Sequence, residues 1–254
     1  MKPSNFFVLS ACFALVPIVL AQPHSGDVIL TINEGQIRTN GGSNPARVFA
    51  ATLGASFPDF TANPGFDCLP GTFTAGTRNG FRILSPLLKW NGASFPTTPD
   101  QYPQERLEIA FASLVRTTPV DASIVEGFTL LVGSNGQWHR HLEYTLLPPA
   151  TDGVYLLELE LFSTATSVGT SAAFYIVFNQ NSSAGTALAA ASWVEANLII
   201  TRCPADWDAD DDVDSDDIVA FFTGWELGDG DFDSDSDSDS DDIVGFFASW
   251  DGGC

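Results

Sequence analysis

Residues 231–250 read DFDSDSDSDSDDIVGFFASW, and residues 206–225 read DWDADDDVDSDDIVAFFTGW. Laid over one another at an offset of 25, they place Asp206, Asp208, Asp210, Asp212, Asp214, Asp216 and Asp217 on Asp231, Asp233, Asp235, Asp237, Asp239, Asp241 and Asp242. The apolar residues fall in register too: Ile218 on Ile243, Phe221-Phe222 on Phe246-Phe247, and Trp225 on Trp250. An unstructured acidic run has no reason to repeat its apolar residues at a fixed distance from its carboxylates. The segment therefore reads as a duplicated structural unit.

Calcium accounts for the alternation of carboxylates. The ion takes six to eight hard oxygen ligands at ~2.3–2.6 Å, and a 12-residue loop supplies them from positions 1, 3, 5, 7, 9 and 12. In the first loop these are Asp206, Asp208, Asp210, the backbone carbonyl of Asp212, Asp214 (directly or through water) and Asp217. In the second they are Asp231, Asp233, Asp235, the carbonyl of Asp237, Asp239 and Asp242. Two ions are expected. After each loop the apolar residues take the i, i+3, i+4, i+7 spacing of one helix face: Ile218, Phe221, Phe222, Trp225, then Ile243, Phe246, Phe247, Trp250. Acidic residues stand at both helix N-termini, where the dipole favours them. Such short helices are marginal alone, so the two are expected to pack on one another.

Two loop–helix repeats with Asp at the last loop position, where the usual EF-hand has Glu, resemble a dockerin domain. The opening Cys203-Pro204-Ala205-Asp206 and the closing Gly252-Gly253-Cys254 resemble, more narrowly, the GC-type dockerin-like modules of bacterial secreted proteins. The resemblance covers residues 203–254. It implies two calcium ions and a cohesin-like or envelope-anchoring partner. It also implies partner contacts at loop positions ten and eleven, here Ser215, Asp216, Ser240 and Asp241. The sixth loop position, usually Gly, is Asp211 or Ser236, and the usually apolar eighth is Val213 or Ser238. The second loop is accordingly expected to bind the more weakly.

The charge of the whole chain is −22, and the segment from Cys203 onward carries −18 of it, with 18 acidic residues and no Lys or Arg. This asymmetry marks a separate acidic module. It also argues against nucleic-acid binding, which needs the opposite sign. At the other end, Lys2, the apolar run Phe6–Leu20 and Val19-Leu20-Ala21 read as a secretory signal peptide over residues 1–21, cut before Gln22. Leu9-Ser10-Ala11-Cys12 offers a competing lipobox, with too little apolar sequence before it. The mature chain is expected to be secreted or displayed at the cell surface, without a transmembrane helix. Export permits disulfides. Cys203 and Cys254 flank the acidic module and are the expected pair; closing that loop stabilises by ~4 kcal/mol on the chain-entropy model. Cys68 reads either as a buried free thiol or as an inter-chain partner.

Residues 22–200 hold short runs rich in Val, Ile, Leu, Phe and Thr, broken by Gly, Pro and Asn. They include Val28–Ile32, Arg47–Leu53, Gly80–Trp90, Leu107–Leu114, Gly127–Val132, Gln137–Leu147, Gly153–Phe162 and Ala172–Asn179. This spacing predicts a mainly β domain, an antiparallel β-sandwich or jelly roll. One helix is expected, over Ala187–Leu198, with Trp193, Val194 and Leu198 turned inward.

Two runs allow a closer reading. Trp138, Leu142, Tyr144 and Leu146 form one face of the first, and Tyr155, Leu157, Leu159 and Leu161 one face of the second. If the short Pro148–Gly153 connection makes a hairpin, Glu143 lies opposite Glu158, and His141 opposite Glu160. His139, His141, Glu143, Glu158 and Glu160 then share a patch with the donor types of a zinc, iron or manganese site. Gly133 and His139-Arg140-His141 resemble the start of a cupin motif. Glu143 follows too soon for that motif and no later His exists, so the cupin assignment fails. No G-x-S-x-G occurs. The expected function is attachment or sorting of the β domain by the acidic module. The alternatives are a carbohydrate-binding domain using Trp90, Phe95, Tyr102 or Trp138, and an extracellular hydrolase or metal-dependent enzyme.

Overall fold

The computed structural model describes residues 26–33, 35–40, 46–199, 203–208, 213–233 and 237–252. The expected signal segment and Cys254 lie outside these. The described chain is mainly β with three helices. In order, its strands are β1 (Val28–Asn33), β2 (Gln36–Thr39), β3 (Val48–Thr52), β4 (Phe60–Thr61), β5 (Phe66–Asp67), β6 (Arg78–Ile83), β7 (Leu88–Lys89), β8 (Leu107–Phe111), β9 (Leu114–Thr117), β10 (Val125–Leu131), β11 (Glu143–Leu146), β12 (Gly153–Ser163) and β13 (Phe174–Gln180). The helices are α1 (Ala184–Asn197), α2 (Ser215–Glu226) and α3 (Ser240–Gly252). None is long and apolar enough to cross a membrane.

Strands β12 and β13 are buried on both faces, and their sequences say why. Tyr155, Leu157, Leu159 and Leu161 of β12 point into the main core with Phe174, Ile176 and Phe178 of β13. The alternate residues Val154 and Leu156, with Tyr175 and Val177, point the other way and pack under α1 against Ala190 and Val194. Side chains that alternate across a strand send apolar residues to both sides when both positions are apolar. Helix α1 starts at Ala184, three residues before the expected Ala187, because the Ser183 hydroxyl caps it by accepting from the Thr186 amide at 3.1 Å. Val194 is fully buried as expected, while Trp193 and Leu198 pack partly buried at the edge of the same cluster.

Three sheets contribute to the main core. The largest has the order β10-β6-β12-β13-β3, with β7 also pairing β12; the others run β4-β11-β8-β9 and β2-β1-β5. Val28 and Leu30 of β1, Phe81 and Ile83 of β6, Leu107 and Ile109 of β8, and Tyr144 and Leu146 of β11 meet there. Two of the sheets are mixed, since β3 runs parallel to β13 and β5 parallel to β1, against the expectation of purely antiparallel pairing; the β4-β11-β8-β9 sheet is antiparallel throughout. Strand β10 shifts register between Glu126 and Thr129, and Gly127 sits at that shift. A Cβ there would lie 2.2 Å from the Phe81 carbonyl oxygen, so the close approach of β10 to β6 requires glycine.

The expected 138–162 hairpin does not form. Strand β11 pairs with β8 and β4, while β12 pairs with β13, β6 and β7. The inward faces were identified correctly: Trp138, Leu142, Tyr144 and Leu146 are all buried. Alternation specifies which face is buried but not which edge is paired. The two strands satisfy their apolar faces by meeting across the core from different sheets. The connection between them is held by Glu105, whose carboxylate accepts from the Thr151 amide at 3.2 Å and from the Tyr155 hydroxyl at 3.0 Å.

Phe174 packs edge-on against Phe49 at 6.0 Å and Phe66 at 6.1 Å, joining the β5, β3 and β13 contributions to the core. Phe174→Ala is expected to lower the unfolding free energy by about 3–5 kcal/mol in urea titrations. Phe57→Ala, at a ring that is mostly exposed, is expected to change it by less than about 0.5 kcal/mol.

Candidate metal centres

The acidic loops are organised by the last carboxylate of each. Asp217 and Asp242 are almost fully buried although Asp216 and Asp241, just before them, are exposed. Asp217 Oδ1 accepts from the Asp208 amide at 3.0 Å and its Oδ2 from the Asp214 amide at 2.9 Å. Asp242 repeats this, accepting from the amides of Phe232 at 2.6 Å, Asp233 at 3.2 Å and Asp239 at 2.7 Å. Asp214 caps α2, its Oδ1 accepting from the Asp216 amide at 2.7 Å. Asp239 does the same for the Asp241 amide at 2.8 Å. Each final Asp thus closes its loop back onto the start of its helix.

Carboxylate oxygens converge around these anchors. Asp206, Asp208 and Asp217 form one group, Asp231, Asp233 and Asp242 a second, and Asp237, Asp239 and Asp242 a third. Within each group the oxygens lie no more than 4.8 Å apart. Ligands on a sphere of ~2.4 Å radius around one hard cation are separated by at most ~4.8 Å, and each group lies within that limit. Asp237 enters through its side chain, where a backbone carbonyl was expected. Asp210, Asp212 and Asp235 lie outside the described residues. Ser215, Asp216, Ser240 and Asp241 occupy the first turns of α2 and α3, with their side chains exposed.

The helices behind the loops meet through their aromatic faces. Phe221 stacks on Phe246 with ring centroids 4.3 Å apart and planes 7° from parallel. The second loop residue of each repeat joins them: Trp207 stands edge-on to Phe221 at 5.1 Å, and Phe232 edge-on to Phe246 at 5.9 Å. The sequence signal for this was an aromatic at the same position of both repeats, between two acidic residues. Cys203 and Ala205 are buried in the same cluster.

A different group forms in the β domain. His139 and His141 come together, their ring centroids 5.2 Å apart, but without the three glutamates expected beside them. Glu143 is exposed on β11 opposite Ala110. Glu158 accepts from the Tyr175 hydroxyl at 3.2 Å, and Glu160 is bound by Arg82, which also holds Glu126. All three belong to pairings that follow from the true strand order. The carboxylate beside the histidines is Asp27, which sequence reading missed because more than a hundred residues separate them. Burial pushes the nearby Tyr144 hydroxyl's pKa well up, and the Asp27 charge adds to the effect.

The aromatic residues considered for sugar binding are taken up in packing. Trp138 and Phe95 are buried, and Trp90 and Tyr102 pack against the α1 cluster. Cys68 is a buried free thiol that accepts from the Trp138 amide at 3.1 Å. Burial raises its pKa, so neither its position nor its reactivity suits an inter-chain disulfide. No protein-family model matches the chain, and no curated protein matches it closely enough to count as a relative.

Burial would raise the Asp242 pKa, but the Asp239, Asp233 and Phe232 amides outweigh it and hold the carboxyl below its ordinary value. A depressed carboxyl pKa stabilises the folded form above the unfolded value of ~3.9, and that contribution is lost as pH falls through the folded value. Acid titration followed by helical circular dichroism should show α3 melting in that range. In Asp242→Asn the signal should be lower at neutral pH and its loss in acid shallower.

Proposed function

We propose that residues 203–254 form a dockerin-like module folded around two calcium ions, and that it attaches or sorts an exported β-sandwich passenger, residues 22–200, at the cell surface. The observation that carries this reading is the twin arrangement around Asp217 and Asp242. Each anchor binds the amides at the start of its own loop, gathers carboxylates within 4.8 Å and feeds an amphipathic helix whose Phe stacks on its counterpart. Like charges at such spacing repel by ~1 kcal/mol per pair even in water. A divalent cation turns that repulsion into ligation, and oxygen-only donors favour calcium.

In this reading Asp206, Asp208, Asp210, Asp212, Asp214 and Asp217 surround one ion. Asp231, Asp233, Asp235, Asp237, Asp239 and Asp242 surround the other. Cys203 pairs with Cys254 and ties the ends of the module together. Exposed Ser215, Asp216, Ser240 and Asp241 at the helix starts are the surface offered to a cohesin-like or envelope-anchoring partner.

Calorimetric titration of the calcium-stripped full chain is expected to give two bound ions and a gain in helical circular dichroism. Asp217→Asn and Asp242→Asn should each weaken one site by about tenfold or more, since ligand charge sets affinity in such loops. Retention on the source cell's envelope fraction should require calcium and residues 203–254 together. Calcium-independent retention, or fewer than two ions bound, would reject the assignment.

A further inference from the structure

We propose that Asp27, His139 and His141 bind one divalent transition-metal ion, zinc or a first-row neighbour, at a site separate in place and chemistry from the acidic loops. Asp27 immediately precedes β1, and its side chain is 4% exposed. His139 and His141 flank Arg140, whose backbone is clamped to Phe66 by hydrogen bonds of 2.8 and 2.9 Å in both directions. That bridge holds the segment extended. Residues two apart then project to the same side, which sets both imidazoles beside Asp27.

The distances suit a small ion. Asp27 Oδ2 lies 3.5 Å from His141 Nε2 and 3.8 Å from His139 Nε2, and the three ligand atoms are mutually within 4.8 Å. Tetrahedral ligands bonded at ~2.0–2.1 Å stand ~3.3 Å apart. The two carboxylate–imidazole separations need only a slight contraction to reach that spacing.

Surrounding contacts orient the ligands as a metal requires. His141 Nδ1 lies 3.0 Å from the Ala62 carbonyl oxygen. A carbonyl only accepts, so Nδ1 carries a proton, and in the neutral ring that a metal binds the Nε2 lone pair is directed toward Asp27. The other Asp27 oxygen, Oδ1, accepts from the Gly65 amide at 3.1 Å, which turns Oδ2 toward the imidazoles. Gly65 is itself part of the construction: a Cβ there would lie 2.6 Å from His141 Cε1 and 2.9 Å from Asp27 Oδ1.

The competing account is a plain ion pair between Asp27 and protonated histidine. One carboxylate neutralises one imidazolium, and two imidazolium rings at this separation would repel. Two neutral imidazoles and one carboxylate, by contrast, are a sufficient donor set for a divalent transition metal. Nitrogen donors disfavour calcium, so the two kinds of site sort their ions by ligand chemistry.

The test uses the full chain, stripped with chelator and returned to excess calcium, then titrated with cobalt(II) while its visible absorption is followed. The expected result is an intense d–d band saturating at one equivalent per chain and displaced by zinc. His139→Gln, at a partly exposed side chain, and Asp27→Asn should each weaken cobalt binding by about 10- to 100-fold or more. Asp217→Asn should leave it unchanged. If Asp27→Asn does not fold, as judged by circular dichroism, His139→Gln decides alone. Absence of a saturating band, unchanged cobalt affinity in His139→Gln, or loss of the band in Asp217→Asn overturns the proposal. Because calcium is present throughout, failure here is separate from failure of the calcium reading.

Discussion

The double-sided burial of β12 and β13 is the constraint on which the β domain depends. One face of each strand supplies the centre of the main core, and the other needs a second apolar layer, which α1 provides. Without α1, Val154, Leu156, Tyr175 and Val177 would present a continuous apolar surface to water. Each such side chain is worth about 1.5–3 kcal/mol when fully buried. Central placement then follows: β7 and β6, with β10 beyond it, lie on one side of β12, and β3 beyond β13 completes the sheet.

The C-terminal segment works under the opposite condition. Its apolar cluster is small, centred on Phe221, Phe246, Cys203 and Ala205, and it carries most of the negative charge of the chain. Segments this short bury too little surface to fold on apolar packing alone and commonly rely on metals or disulfides. The hydrogen bonds to Asp217 and Asp242 organise the backbone of both loops. They turn loop amides toward the last carboxylate, and Asp206 and Asp208 in the first repeat, with Asp231, Asp233, Asp237 and Asp239 in the second, gather beside it.

The two kinds of proposed metal site are built by different logics. The loop carboxylates are local: their spacing and the turn of the chain bring them together, and the repeat is visible to the eye. Asp27, His139 and His141 are brought together by strand pairing at long range, through the Phe66–Arg140 bridge and the Gly65 contact. Reading His139 and His141 as neighbours was sound, because two residues separate on one extended segment share a side. Which carboxylate joins them depends on which strand edges meet, and the strand order sends Glu158 to Tyr175 and Glu160 to Arg82 instead.

Periodicity and repetition alone identified most of the strands, the helix near 190, the inward faces of residues 138–146 and 155–161, and the two amphipathic helices α2 and α3. These are properties of adjacent residues, governed by side-chain alternation, helix spacing and capping. The short strands β2, β4 and β5, the two parallel pairings, the separation of β11 from β12 and the arrival of Asp27 beside the histidines were settled only when the chain closed on itself. A buried face can be satisfied by many partners of equal hydrophobicity. The choice among them depends on the packing of the whole core and on hydrogen bonds between residues far apart in the sequence.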